Sequence, residues 1–190
     1  MRLLEFWLHR LSSGIDLICE MTGRAVAWLT LGMVLTTFTV VVLRYGFNTG
    51  WIAMQEAVLW MHASVFLLAA AYTLKHDAHV RVDIFYSHFT PGRRALVDLL
   101  GGLLLLLPSY VFIFYISWDY VWVSWEIAEG SRETGGIPAI YLLKSTILLM
   151  AGLMILQGIS RILHNLMVLT GIEQAEAPAP PRPGTPGAEL

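Results

Sequence analysis

Four long runs without charge decide what this chain can fold into. Residues 25–43 hold no charged side chain in 19 positions and end at Arg44. Residues 57–74 form a second run, interrupted only by His62 and bounded by Glu56 and Lys75. Residues 99–118 lie between Asp98 and Asp119 with Pro108 near the middle, and residues 138–160 carry only Lys144 before Arg161. About 18 apolar residues, rising ~1.5 Å each, cross the ~30 Å hydrocarbon core of a bilayer. Lipid offers backbone groups no outside partner, so each span must be a helix. The expected fold is an all-α integral membrane protein with four transmembrane helices, at about 25–43, 52–74, 95–118 and 138–160.

Composition excludes the alternatives. The chain is 56% hydrophobic and 14% charged, against about 45–50% and 25% in soluble domains. A cytosolic enzyme, a disordered chain and a basic nucleic-acid binder are all ruled out. A net charge of -2 leaves no electrostatic footprint for nucleic acid. A single cysteine, Cys19, permits neither a disulfide framework nor a cysteine-rich metal site.

Orientation follows from Lys and Arg. Nine of the 12 fall in the N-terminal segment, the loop between the second and third spans, and the C-terminal segment. All three lie on one side of a four-span chain. The positive-inside rule places that side, with both termini, in the cytoplasm. Trp51, Trp118, Trp122 and Trp125 fall toward the opposite boundary, as an aromatic belt does.

The segments outside the spans have characters of their own. In residues 1–24, Leu4, Leu8, Leu11, Ile15 and Ile18 recur at helical spacing opposite Arg2, His9, Ser13, Asp16 and Glu20. This predicts an N-terminal amphipathic interfacial helix. Glu5, His9 and Arg10 break any signal-peptide core. Thr90-Pro91 predicts the start of the third helix, whose pattern continues through Trp118, Trp122 and Trp125 to about residue 128. Pro108 is the expected site of a bend. Gly130, Gly135 and Gly136 stop that helix, and Pro138 suits the first turn of the fourth. Residues 166–190 are expected to be a proline-rich disordered cytoplasmic tail.

Polar groups in or beside spans are the candidate functional residues. Glu56 lies near Trp51 and Trp60 at the start of the second span and could pair with Arg44. Asp98 could pair with Arg94 at i, i+4. Lys144 can snorkel outward or meet Glu126 or Glu129. His62 is the one histidine well inside a span, where a helix-packing hydrogen bond is the plain expectation and haem ligation the sharper one. A haem bound by two histidines would need a second one at similar depth, and His9, His76, His79, His88 and His164 all lie at or beyond the boundaries. A His76-x-x-His79 pair with Asp83 is a weak metal pattern. No phosphate loop, catalytic carboxylate pair or nucleophile with its base is present, so no enzyme is expected.

The order of motifs carries a family resemblance. Arg44-Tyr45-x-Phe47, Trp51 and Glu56 precede the second span, and the loop after it reads His79-Val80-Arg81-Val82-Asp83. The third span ends in Ser124-Trp125-Glu126, with Glu129, Ser131, Glu133 and then Gly136-Ile137-Pro138. The fourth contains Leu142-Leu143-Lys144-Ser145 and Leu156-Gln157-Gly158. Over roughly residues 20–165 the chain resembles the small permease subunit of TRAP transporters, the tripartite ATP-independent periplasmic transporters.

The resemblance implies an auxiliary role in secondary transport. A periplasmic binding protein delivers an organic acid, and a large permease subunit holds the substrate and the coupling ion, sodium. The small subunit anchors that moving partner in the bacterial inner membrane, and no cofactor is implied. Arg44, Trp51, Glu56, Trp60, His79, Arg81, Asp83, Trp118, Trp122, Trp125, Glu126, Pro138 and Lys144 become candidate interface and anchoring residues toward the large subunit, the binding protein and lipids. The competing reading is a haem- or quinone-associated membrane anchor of an oxidoreductase, which a haem absorption band lost in His62→Ala would identify.

Overall fold

The computed structural model describes residues 2–78 and 89–171. Its first helix, α1 (Arg2–Gly46), is unbroken over 45 residues, about 68 Å at the α-helical rise. It closes where Asn48 turns left-handed at φ 50 and the Thr49 N–H reaches back to the Leu43 carbonyl at 3.0 Å. No break separates residues 1–24 from the first span, so the expected interfacial helix is not set apart as a unit. The reason is packing: Ile15 and Cys19 join a core cluster with Ala71 and Met154, and Ser12 is buried. The N-terminal turns therefore lie against other helices.

α2 (Ile52–Leu68) and α3 (Ala70–Lys75) are separated only by Ala69, whose N–H bonds the Val65 carbonyl at 3.1 Å. Together they make a second span, Ile52–Lys75. α4 (Pro91–Gly101) begins after an extended Thr90, with proline in its first turn as the sequence predicts. A π-helical turn, Gly102–Leu106, leads into α5 (Leu107–Glu126). Pro108 has no N–H, and its ring crowds the carbonyl one turn back. The widened turn accommodates this, with the Leu107 N–H bonding the Gly102 carbonyl five residues earlier.

α6 (Ile140–Leu169) completes the fold. It starts two residues later than expected, so Pro138 belongs to the preceding loop rather than the first turn. It also runs past residue 160, making residues 166–169 helix rather than tail; residues 172–190 lie outside the described part. Among the described residues, four helices, Phe6–Gly46, Ile52–Lys75, Pro91–Glu126 and Ile140–Leu169, have the length and composition to cross a membrane. The chain is a multi-pass membrane protein.

α6 is the centre of the arrangement and packs against every other element. α1, α2 and α3 gather on one part of it, while the α4–α5 limb packs chiefly on α6 alone. The layers pack closely at two glycines. A Cβ on Gly23 would stand 2.4 Å from the Tyr72 ring, and one on Gly158 would stand 2.5 Å from Leu106 Cδ2, beside the π turn. Large apolar side chains such as Trp28, Phe66 and Tyr115 face outward, the surface a hydrocarbon solvent favours.

Candidate functional site

Polar contacts collect at the two ends of the bundle. At the end formed by segments 47–51 and 127–139, α2 presents Glu56 just past its first turn. The Ser131 hydroxyl donates to its Oε1, and the Ile137 N–H donates to its Oε2 at 2.6 Å. The loop closes on itself as the Ser131 N–H returns to the Ile137 carbonyl at 3.1 Å. Gly136 is required here, because a Cβ would stand 2.4 Å from Ser131 Oγ and 2.7 Å from Glu56 Oε2. Glu56 thus holds the loop, not Arg44, which is exposed.

A second carboxylate fastens α5 to α6. α5 ends where Ala128 turns left-handed at φ 46, and the Glu129 N–H bonds the Ser124 carbonyl at 3.0 Å. This aims Glu129 inward, where Lys144 of α6 pairs with its Oε2 and the Ser124 hydroxyl donates to the same oxygen at 2.6 Å. The Lys144 ammonium, and then that hydroxyl, hold the Glu129 carboxyl below its ordinary value of 4.5. Lys144 also lies 4.0 Å above the Tyr120 ring centre, a cation–π contact. Snorkelling is therefore replaced by an ion pair, because Glu129 lies within its reach.

The three tryptophans of α5 differ in their fastening. Trp125 donates to Ser145 Oγ at 2.8 Å and stands 4.6 Å from the Tyr141 ring. Trp122 donates to Glu126 at 2.8 Å, and Trp118 lies 5.7 Å from Phe114. With Leu149 and Gly152 they line an apolar groove of 770 Å³ between α5 and α6. Trp51 is exposed and Trp60 half-buried. His62 is exposed on α2 rather than bonded within the bundle. Arg94 donates to the Phe89 carbonyl at 3.0 Å. His79, Arg81 and Asp83 lie outside the described residues.

The opposite end holds contacts that the sequence reading missed. Asp16 of α1 accepts from Gln157 Nε2 at 3.0 Å and from the Ser160 hydroxyl at 2.8 Å, while Ser12 and Ser160 share a 2.7 Å bond. One turn on, Glu20 accepts from Lys75 and His76 at 2.8 Å and from Arg24 at 2.7 Å. The available signal was the pairing of two spacings, Ser12 with Asp16 and Gln157 with Ser160, each a single turn apart on its helix. All of these contacts except Arg24–Glu20, which lies within α1, tie one helix or loop to another. They fasten the fold at both ends.

Comparison with known proteins identifies the family. Residues 33–167 match the family described as "Tripartite ATP-independent periplasmic transporters, DctQ component". A C4-dicarboxylate TRAP transporter small permease protein, DctQ, of Vibrio cholerae is 27% identical over 134 residues, covering 70% of this chain and 56% of the relative. A Haemophilus influenzae protein assigned as a TRAP transporter small permease protein is 23% identical over 131 residues, covering 68% of this chain and 74% of the relative. This chain therefore spans little more than half of the Vibrio protein's length. No solved structure gives a significant match. The chain belongs to the DctQ family, the small permease components of the tripartite ATP-independent periplasmic transporters.

Proposed function

We propose that the chain is the stationary frame of a TRAP transporter, anchoring the large permease subunit during ion-coupled uptake of an organic acid. One observation carries this reading: the ion pairs and polar clusters of the described residues lie at the two ends of the bundle, and between them the spans hold no charged side chain, His62 being the one histidine there and facing outward. A subunit that itself bound an anion and a coupling ion would need several polar groups converging inside the bundle near the midplane. Substrate and sodium are therefore assigned to the large subunit. This chain contributes breadth and fixed depth, using interfacial tryptophans and basic residues in contact with lipid.

In this reading the loop of residues 127–139 faces the periplasm, where a binding protein delivers the substrate. Both termini are cytoplasmic, the membrane is the bacterial inner membrane, and no cofactor or nucleic acid is involved. The name of the Vibrio relative makes small dicarboxylic acids the first substrate class to test. The experiment is uptake of radiolabelled C4-dicarboxylates and other organic acids in cells lacking only this chain. Loss of uptake, its restoration by the intact chain, and co-purification with a large permease are expected. Full uptake without the chain, or failure to co-purify, would overturn the proposal.

A further inference from the structure

One outward-facing side chain does not suit lipid. Across residues 25–43, 57–74, 99–118 and 138–160, His62 is the one exposed histidine, lysine, arginine or acid, since Lys144 is drawn in to Glu129. His62 lies 10 residues into α2, ~15 Å along the axis and so about half the hydrocarbon depth from the start of the helix. A short imidazole at that depth reaches neither interface. Its two ring nitrogens must find partners or remain unpaired in a medium that offers none.

His62 belongs to a stripe. Gln55, Leu59, His62 and Phe66 are all exposed, and they recur at i, i+4, i+7 and i+11, one face of a helix. α2 packs on α1 and α6, so this stripe is the face those helices leave uncovered. The groove beneath the α5 tryptophans is also open, but its lining is apolar and acyl chains satisfy it. Acyl chains cannot satisfy His62.

We propose that the Gln55–Leu59–His62–Phe66 stripe is the contact face for the large permease subunit, which presents a hydrogen-bonding group to His62 near the middle of the membrane. The inference rests on the proposed function and adds the surface through which it operates.

The test places a photoreactive benzoylphenylalanine at Leu59 or Phe66, with Phe38, Leu104 and Phe112 as outward-facing controls, in membranes of cells expressing the whole transporter. Adducts with the large permease, identified by mass, are expected from Leu59 and Phe66 and not from the controls. His62→Leu should lower co-purification of the large subunit about 3- to 30-fold, the range for one hydrogen bond between membrane helices, and His62→Gln should retain most of it. The isolated chain should unfold no earlier with His62→Leu, which separates an interface role from an internal one. Large-permease adducts from the controls alone, adducts only between copies of this chain, or unchanged recovery with His62→Leu would each overturn the inference while leaving the proposed function standing. A complex that never forms, even with the unaltered chain, would instead overturn the function.

Discussion

The Glu56 carboxylate accepts the Ile137 N–H at 2.6 Å, a bond spanning 81 positions that ties the start of α2 to the approach of α6. The loop between α5 and α6 owes its shape to that carboxylate, because the Ser131 hydroxyl donates to its other oxygen. Glu56→Ala leaves a backbone N–H and a hydroxyl without their acceptor. Protease cleavage within residues 127–139 should accelerate several-fold, with Glu56→Gln intermediate because it keeps one acceptor oxygen. Gly136→Ala should reproduce the loosening, since its Cβ would intrude 2.7 Å from Glu56 Oε2. Unchanged cleavage in all three variants would refute this account of the loop.

Acid should loosen the same end through a different residue. The Glu129 carboxyl is held below 4.5 first by Lys144 and then by Ser124. A carboxyl whose value is depressed on folding stabilises the fold above its unfolded value and loses that contribution as pH falls through the folded one. Unfolding midpoints in detergent should therefore be flat in this respect from pH 7 to about 5, then drop below 4.5. In Glu129→Gln that acid-limb drop should shrink, and the midpoint at pH 7 should be lower than in the intact chain.

What the sequence made legible, and what it concealed, divides along physical lines. Apolar runs set the four spans because lipid penalises any charge or free backbone group within them. The start of α4 at Pro91 was legible because Thr-Pro chemistry is local. Helix ends governed by tertiary contacts were not. α6 extends to Leu169, and α1 continues through residue 24 because Ser12 and Asp16 find partners on α6. Partner choice was concealed for the same reason. Glu56 could be placed at the boundary from sequence, but only the folded loop brings Ser131 and Ile137 to it. For His62 the sequence gives depth without direction, so helix packing and haem ligation both fit its position, and only the fold shows that it faces outward.

The contact of Asp16 with Gln157 should show an asymmetry between its two sides. Gln157 is 2% exposed, and its Oε1 has no hydrogen-bond partner among the described residues. Asp16→Ala strands the buried amide N–H2 as well and should cost about 1–3 kcal/mol. Gln157→Leu removes the stranded acceptor along with the donor, and Asp16 keeps Ser160, so its cost should stay under about 1 kcal/mol. Reversible unfolding in mixed detergents measures both, and the opposite ranking would refute the argument.

Ala128 offers a stabilising change. Its φ of 46 places a Cβ in the left-handed region, at a cost of roughly 1–2 kcal/mol that glycine avoids. Part of that gain is offset by the greater freedom of glycine in the unfolded chain. Ala128→Gly should raise stability by about 0.5–1 kcal/mol in the same unfolding measurement and preserve the Glu129–Lys144 pair. A destabilised variant would mean that the Ala128 methyl makes a contact worth more than the strain.

The tryptophans of α5 provide the test of depth and anchoring. Trp125 alone of the three ties its indole N–H to another helix, at Ser145 Oγ, whereas Trp122 bonds Glu126 on its own helix and Trp118 stacks near Phe114. Trp125→Phe keeps the ring near Tyr141 but forfeits the cross-helix bond, a loss of about 0.6–2 kcal/mol in a membrane. Trp118→Phe and Trp122→Phe should be milder, because neither indole bonds another helix: they lose contact with the headgroup region and, for Trp122, an exposed bond to Glu126 within α5. Replacing all three with alanine removes both kinds of hold, and recovery of the complex and organic-acid uptake should fall together. Uptake that survives the triple replacement would show that this edge of the frame neither sets depth nor meets the partner.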